Sequence, residues 1–433
     1  MLQSDARMPL TRQIWGRMRS PEAAPGVLII VENLSVPFDR RAWAEALALR
    51  EAGYKVSVIC PKGNGFCASK ECLDGIHIFR HWLPIASGGP LSYILEYVVA
   101  LIFQLYLSFR IKITHGFDVI HACNPPDLIV LVAVLHKLLF RTKFIYDQHD
   151  LNPELFEVKF GRRGIFYKTL EVFERLSFMC ADASIAMNET CKTLAIERGR
   201  MPAERVWTVK SYPELKTFRP VERDETLRGE FRQLVGWVGI MGEQDGVDIL
   251  VRAAAHVVHT LGRTDIGFMI IGDGPEFKRM QALARQLQVE NNVKFTGYIS
   301  GESLLRHMSI LDIGVIPDPP NPFNHHISMN KVFEYMAVGL PFVLFDLVQS
   351  KSEAGEAALI VDRPTPDVLA NGIVTLLADA PARERMGRYG RRQIAHEFSW
   401  TNEKPKLLAA YRQVLGEWLP ATDVVTGIVR EQS

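Results

Sequence analysis

From residue 27 onward, short unbroken apolar runs alternate with longer stretches of helical period. The runs 27–31 (VLIIV), 56–60 (VSVIC), 119–121 (VIH), 144–146 (FIY) and 183–186 (ASIA) come first. A second series follows at 234–238 (LVGWV), 268–271 (FMII), 293–296 (VKFT), 313–316 (IGVI), 342–345 (FVLF) and 359–361 (LIV). A strand with one wet face alternates apolar and polar residues. Continuous Val/Ile runs instead mark strands covered on both faces, the condition of a parallel sheet with crossover helices. In the second series the starts lie about 20 to 35 residues apart, the length of a strand plus a crossover helix. The expected fold class is α/β, with two Rossmann-like parallel-sheet domains and a cleft between them.

Between the two series, residues 211–220 (SYPELKTFRP) carry two prolines and no period, which suits a linker. The expected organisation is a flexible extension over 1–25, one domain over 26–213, a second over 214–399, and a flexible tail over 419–433. Two such domains on one hinge bring the carboxyl ends of both sheets to a shared cleft, where ligands of doubly wound sheets bind.

Residues 91–109 (LSYILEYVVALIFQLYLSF) contain one charge, Glu96. Their length alone allows a membrane span. Ser92, Glu96, Ala100, Gln104 and Ser108 recur every four positions, so they form a stripe along one side of a helix, and that side is expected to meet something polar. A crossover helix packed on the sheet, a helix lying in a membrane surface and a true span are the three readings.

Composition narrows the function. Lys and Arg total 50 against 49 Asp and Glu, a formal charge of +1 in 433 residues, so no overall field attracts nucleic acid. Anion binding must be local, from a few cations or helix N-termini. Six cysteines without a CxxC pair point to a reducing compartment, and residues 1–25 lack an uninterrupted apolar run of signal type, so the expected location is the cytoplasm.

The stretch 321–341 (NPFNHHISMNKVFEYMAVGLP) predicts a short helix, with Ser328 as N-cap and Gly339 and Pro341 as the stop. Asn330, Lys331 and Glu334 then share its first turns. A phosphate can sit on the N-terminal amides of Ser328, Met329 and Asn330 beside Lys331, while the Glu334 carboxylate accepts ribose hydroxyls. Gly272, Asp273, Gly274 and Pro275 form a strand-to-helix turn that brings backbone close to a ligand, though not the GxGxxG of dinucleotide folds. In the first half, His121, Asn124 and Asp127 (HACNPPD) follow one strand, and Asp147, His149 and Asp150 (YDQHD) follow the next. Both clusters belong at the cleft edge. Glu32, Asp39, Arg40 and Arg41 after the first strand complete that edge and suit an acidic or phosphorylated acceptor.

Together, FDVIHACNPPD, KFIYDQHDLNPE, GWVGIMGEQDGVD, IIGDGP and NPFNHHISMNKVFEYMAVGLP, in this order, resemble the family 4 retaining glycosyltransferases of the GT-B fold, bacterial polysaccharide and glycolipid enzymes. Members that begin with a VENLxVPFDRR stretch are the most similar. The resemblance implies an acceptor-side domain first, a nucleotide-sugar-binding domain second, and a C-terminal helix over 400–418 that crosses back to the first. It implies that His149 touches the transferred sugar, that Glu334 binds the ribose and that the GDGP turn flanks the base. His149, Lys331 and Glu334 are the expected catalytic group. Gly272–Pro275, Ser328, Met329, Asn330 and Lys210 are expected to join them on the donor. Glu32, Arg40, Arg41, His121, Asn124 and Asp150 form the expected acceptor side. A UDP- or GDP-sugar co-substrate is implied, with no cofactor and no metal. The partner is a lipid-linked or glycan acceptor at the inner membrane face, with residues 91–109 as the candidate lipid contact.

The sequence departs from the family in three places. Eight positions before Glu334 stands His326 rather than a second glutamate. Ile240 and Asp245 occupy the places where Arg and Lys commonly clamp the diphosphate. Lys210 and Ser211 stand where Arg and Asn are usual. Two other readings therefore stay open beside a transferase: a GT-B nucleotide-sugar epimerase and a non-catalytic partner in a glycan-assembly complex.

Overall fold

The computed structural model describes residues 24–417 apart from 64, 85–89, 162, 214 and 216, and in the helix Pro90–Thr114 the side chains from 95 onward. Most of the expected extension 1–25, the tail 419–433 and Ser92 of the polar stripe lie outside the described residues. The first lobe holds β1 (Gly26–Ile30), β2 (Lys55–Pro61), β3 (Lys70–Leu73), β4 (Ile76–His81), β5 (Val119–Cys123), β6 (Lys143–Gln148), β7 (Ala183–Ala186) and β8 (Val206–Thr208). They form one sheet in the order β3-β4-β2-β1-β5-β6-β7-β8. All neighbours are parallel except β3 with β4. The second lobe holds β9 (Gln233–Val238), β10 (Ile266–Ile271), β11 (Val293–Gly297), β12 (Ile313–Ile316), β13 (Phe342–Phe345) and β14 (Ala358–Val361), ordered β11-β10-β9-β12-β13-β14. Both are Rossmann-like parallel sheets. Their central strands are buried along their length, which is why these segments read as unbroken apolar runs.

The sequence reading missed β3, β4 and β8. All three lie toward the sheet edges and mix apolar with charged or polar residues (KECL, IHIFRH, VWT), and β3 and β8 are also short, so they lack the signature of a doubly covered strand. The helix Trp400–Leu415 follows the second lobe in sequence but packs on β7, β8 and the helix Arg40–Glu51 of the first. Its Tyr411 is fully buried in the first lobe's core with Val27, Ile29 and Val58.

The helix Pro90–Thr114 packs on the sheet, the first of the three readings, with its stripe turned inward and an apolar face turned out. Ala100, Gln104 and Ser108 are buried against the lobe, and Ser108 Oγ lies 3.0 Å from His136 Nε2. Apolar residues face outward: Leu95, Ile102, Tyr106 and Ile113 are 58–83% exposed. The stripe is thus turned inward: Ala100, Gln104 and Ser108 pack against the lobe, and Glu96 reaches the cavity between the lobes. Residues 95–114 are long and apolar enough to cross a membrane by length and composition, while the helix also packs on β2, β4 and the helix Val130–Phe140.

The lobes meet across the cleft through several side chains. Asn188 Nδ2 donates to His326 O at 2.8 Å, Thr190 Oγ1 donates to Gln349 Oε1 at 2.9 Å, and the Phe38 and Tyr298 rings lie 5.6 Å apart.

Candidate active site

A cavity of about 1350 Å³ fills the cleft, and His149 from one lobe and Glu334 from the other both line it. The helix carrying Glu334 spans Asn330–Val338 and stops where Gly339 takes a positive φ of 76°. It is pinned from behind: Tyr335, fully buried, accepts a hydrogen bond from Val238 N at 3.0 Å through its hydroxyl. Ser328 does not cap it. The position before Asn330 is Met329, extended and buried, and no side chain among the described residues caps the amides. The Ser328 hydroxyl instead donates to Glu353 Oε1 at 2.6 Å, because that buried carboxylate needs donors more than the helix end does. Ser328, Met329, Asn330 and Lys331 nevertheless line the cavity, so uncapped amides face it.

Lys331 is not the free cation that the sequence reading expected. Its ammonium donates to Asp318 at 2.8 and 3.0 Å and to Asp245 at 3.1 Å, and it lies 5.3 Å from the Trp237 ring centre. An ammonium this deeply buried needs counter-charge. Burial works against it, but Asp318 and Asp245 hold its pKa above the ordinary lysine value. Burial, with Asp245 adding to it, pushes the Asp318 carboxyl up to about 7. The loop that delivers Asp245 depends on glycine: Gly246 has φ 61°, and a Cβ there would meet Pro317 O at 2.0 Å.

The GDGP turn plays a narrower part than expected. Gly272 and Pro275 line the cavity, but Asp273 and Gly274 do not. A Cβ on Gly272 would stand 1.8 Å from Gly239 O, and Met241 N donates to Asp273 O at 2.9 Å. The turn thus braces the loop after β9 against the site. Lys210 is also displaced from its expected place. It does not line the cavity; its ammonium lies 3.5 Å from Glu353 and its backbone N–H donates to Glu403.

On the first lobe the organising residue is Asp147, fully buried at the end of β6. Its carboxylate faces Arg41 Nη2 at 2.8 Å, His121 Nε2 at 3.1 Å and His149 Nε2 at 2.6 Å. Burial opposes its charge, yet Arg41 and His149 and the histidine hydrogen bonds hold it well below the ordinary aspartate range. His121 is therefore a buried brace and not a cleft residue. Its other nitrogen lies 2.7 Å from the Tyr411 hydroxyl, and burial lowers its pKa. Arg41 reaches the cavity only at the edge of a buried guanidinium that also donates to Val209 O. Asn124 is likewise buried behind the wall: its Oδ1 accepts from His149 N at 2.7 Å and Asp150 N at 3.1 Å, which fixes the turn presenting His149. Donor atoms of Glu45, Cys123, Asp147 and His149 lie within 4.8 Å of one another, a spacing that suits a metal ion. Arg41, on Asp147 and 3.3 Å from Glu45, already brings a cation there.

Glu32, Arg40 and Asp150 line the cavity as expected. Burial, and secondarily Glu96, raises the Glu32 carboxyl well above the ordinary range, and its buried Oε1 has no hydrogen-bond partner among the described residues. Burial pushes Asp150 up to about 6. Arg40 reaches across the cleft to Glu334 at 2.8 Å. The sequence reading left Asp318, Glu353 and Tyr411 unnamed. Only Asp318 had a signal, its place just after the run 313–316 at a strand's carboxyl end.

Residues 39–210 match a glycosyl transferase 4-like domain, and residues 232–379 match the glycosyl transferases group 1 model. The chain belongs to the family 4 glycosyltransferases of the GT-B fold. It is 25% identical over 373 residues to an uncharacterised glycosyltransferase of Methanocaldococcus jannaschii, covering 79% of this chain and 86% of that one. Among solved structures it is similar to sucrose-phosphate synthase of Thermosynechococcus elongatus, with a TM-score of 0.73, 20% identity, and 90% and 98% of the two chains covered. It is also similar to Anabaena HepE in complex with UDP-glucose, with a TM-score of 0.67, 16% identity, and 89% and 99% covered.

Replacing Lys331 by Met leaves the buried Asp318 and the half-buried Asp245 without their cation, and about 3–5 kcal/mol of stability is expected to go. In that variant the folded-state pKa of Asp318 rises further above its unfolded value. The loss is therefore smallest in acid, where the carboxyl is protonated in both states, and grows as pH rises. Urea unfolding at about pH 5 and pH 8 checks this; an equal loss at both would show that the ammonium does not answer these carboxylates.

Proposed function

We propose that the protein transfers a sugar from a UDP- or GDP-sugar to a lipid-linked or glycan acceptor, with retention at the anomeric carbon and without a metal, in polysaccharide synthesis at the cytoplasmic face of the inner membrane. One observation carries this reading: Glu334 and His149 face each other across a single cavity between the lobes. The donor lies on the second lobe, with ribose hydroxyls on Glu334 and the diphosphate at the uncapped amides of 328–331. As the glycosyl bond breaks, the sugar gains oxocarbenium character and charge collects on the leaving diphosphate, so oriented amides and dipoles lower the barrier. His149 contacts the migrating sugar in an orientation set by Asp147. Glu32, whose burial favours its uncharged form, and Asp150 suit an acceptor hydroxyl better than an acceptor phosphate, since each would repel an anion when ionised. The HepE neighbour, found with UDP-glucose, supports a nucleotide-sugar donor. Arg41 in the Asp147 cluster supports a metal-free reaction, because a guanidinium takes the place that an ion would need.

A panel of UDP- and GDP-sugars tests the donor. A ligand at 100 times its dissociation constant stabilises the fold by about 2.7 kcal/mol, read as a raised Tm. Glu334→Gln should lose most of that shift, and His149→Ala should keep it while turnover falls at least tenfold. No shift with any member, or parallel losses of binding and turnover in His149→Ala, would count against this assignment.

The outward face of Pro90–Thr114 favours lipid as the second contact. Leu95, Ile102 and Tyr106 are exposed, while Glu96 and Tyr97 on the same helix line the cavity, so an acceptor's apolar tail and its reacting hydroxyl can be received by one element. Because Leu101 and Leu105 pack inward, charges belong at Ile102 and Tyr106 in the test. Ile102→Glu/Tyr106→Glu should release the protein from anionic phospholipid vesicles with its Tm unchanged; undiminished sedimentation with the vesicles would refute the contact.

A further inference from the structure

Among the described residues, the second lobe brings no free cation to the diphosphate site. Ile240 and Asp245 occupy the clamp positions, Lys331 is held by two carboxylates, and Lys210 turns to Glu353. Among the described residues lining the cavity, nine Asp or Glu side chains stand against four Lys or Arg. Of those four, Arg41 is committed to Asp147 and a backbone carbonyl, and Lys159 stands among Asp150, Glu96 and Asp245. A dianionic diphosphate entering such a wall meets repulsion unless a cation comes forward.

We propose that this cation is Arg40, and that it clamps the diphosphate from the opposite lobe after release from Glu334. The inference rests on the nucleotide reading above. Arg40 is the first residue of the helix Arg40–Glu51, with its side chain 62% exposed, and its guanidinium bridges the cleft to Glu334 while lying 5.3 Å from the Phe218 ring centre. Glu334 sits one turn, ~6 Å along the axis, from the helix start at Asn330. Ribose hydroxyls arriving at Glu334 compete with Arg40 for the same carboxylate oxygens. The displaced guanidinium then needs only about a turn's travel to meet phosphate oxygens at the amides of 328–331, and its planar fork suits them. One ion pair thus serves two states: it links the lobes in the free protein and becomes a phosphate contact in the complex. The exposed flexible side chain permits the exchange, whereas the buried, doubly bound Lys331 and Arg41 do not.

The alternative role for Arg40 is a plug that merely blocks Glu334, and the two roles give opposite signs. Calorimetric titration of the full chain with UDP and GDP, and with uridine and guanosine, separates them. The clamp predicts that Arg40→Ala weakens the preferred nucleoside diphosphate at least tenfold, leaves the matching nucleoside unchanged or tighter, and that Arg40→Lys restores part of the loss. Diphosphate binding equal to or tighter than in the unaltered protein, or nucleoside binding weakened as much as diphosphate binding, would overturn the clamp and leave the donor reading standing. If the unaltered protein bound neither diphosphate nor nucleoside, the donor reading itself would fall, and the clamp with it.

Discussion

Burying charge without stranding it is the constraint on which this cleft is built. The Lys331 ammonium is held inside the second lobe only because Asp318 and Asp245 converge on it, and those carboxylates in turn fix the loop after β9 and the strand end after β12. The first lobe solves the same problem with the opposite sign: a buried Asp147 gathers Arg41, His121 and His149. Each lobe thus carries an internal ion cluster at the carboxyl end of its sheet, and each of these clusters positions side chains that reach the cavity. Removing one member leaves the remaining charges unpaired in a poor solvent for them, so the clusters make the cleft wall stiff.

That stiffness passes through the fold to the residues that meet a ligand. His149 is oriented by Asp147 through its ring and by Asn124 through its backbone, and Tyr411, on the helix that returns from the second lobe, closes the far side of the cluster against His121. Glu334 is set by a helix whose next residue, Tyr335, is tied to the end of β9. The cross-cleft contacts are of another kind. Arg40 with Glu334 is a pair with one exposed partner, and Asn188 with the 326 carbonyl and Thr190 with Gln349 are single neutral hydrogen bonds worth about 0.5–1.5 kcal/mol each, so they can part more readily than the ion clusters. Rigid walls joined by exchangeable contacts are what a two-lobed transferase requires if donor and acceptor enter separately.

The central strands were legible because doubly covered parallel strands write themselves as Val/Ile runs, and the short helix after 329 because Gly339 and Pro341 end it. His149 followed from a motif at a strand's carboxyl end, Glu334 from the short helix with its glycine stop, and the cleft between them from the two series of apolar runs. What stayed hidden depended on long-range pairing. Nothing local shows that Lys331 meets Asp318 and Asp245, or that His121 turns inward to Tyr411, 290 positions away. The cap expected at Ser328 failed for the same reason, since Glu353 takes its hydroxyl. The stripe of Ala100, Gln104 and Ser108 had the right period, but the period alone did not choose between packing on the sheet and facing solvent or lipid.

Hydrogen exchange with and without saturating nucleoside diphosphate addresses the central claim most directly, since it reports where the ligand rests without requiring turnover. Protection concentrated in the backbone of 328–334 and 239–242, with the edge strands β3 and β8 unchanged, is the expected pattern. Protection that spared the Asn330–Val338 helix while appearing elsewhere on the second lobe would contradict a donor site in the interlobe cavity.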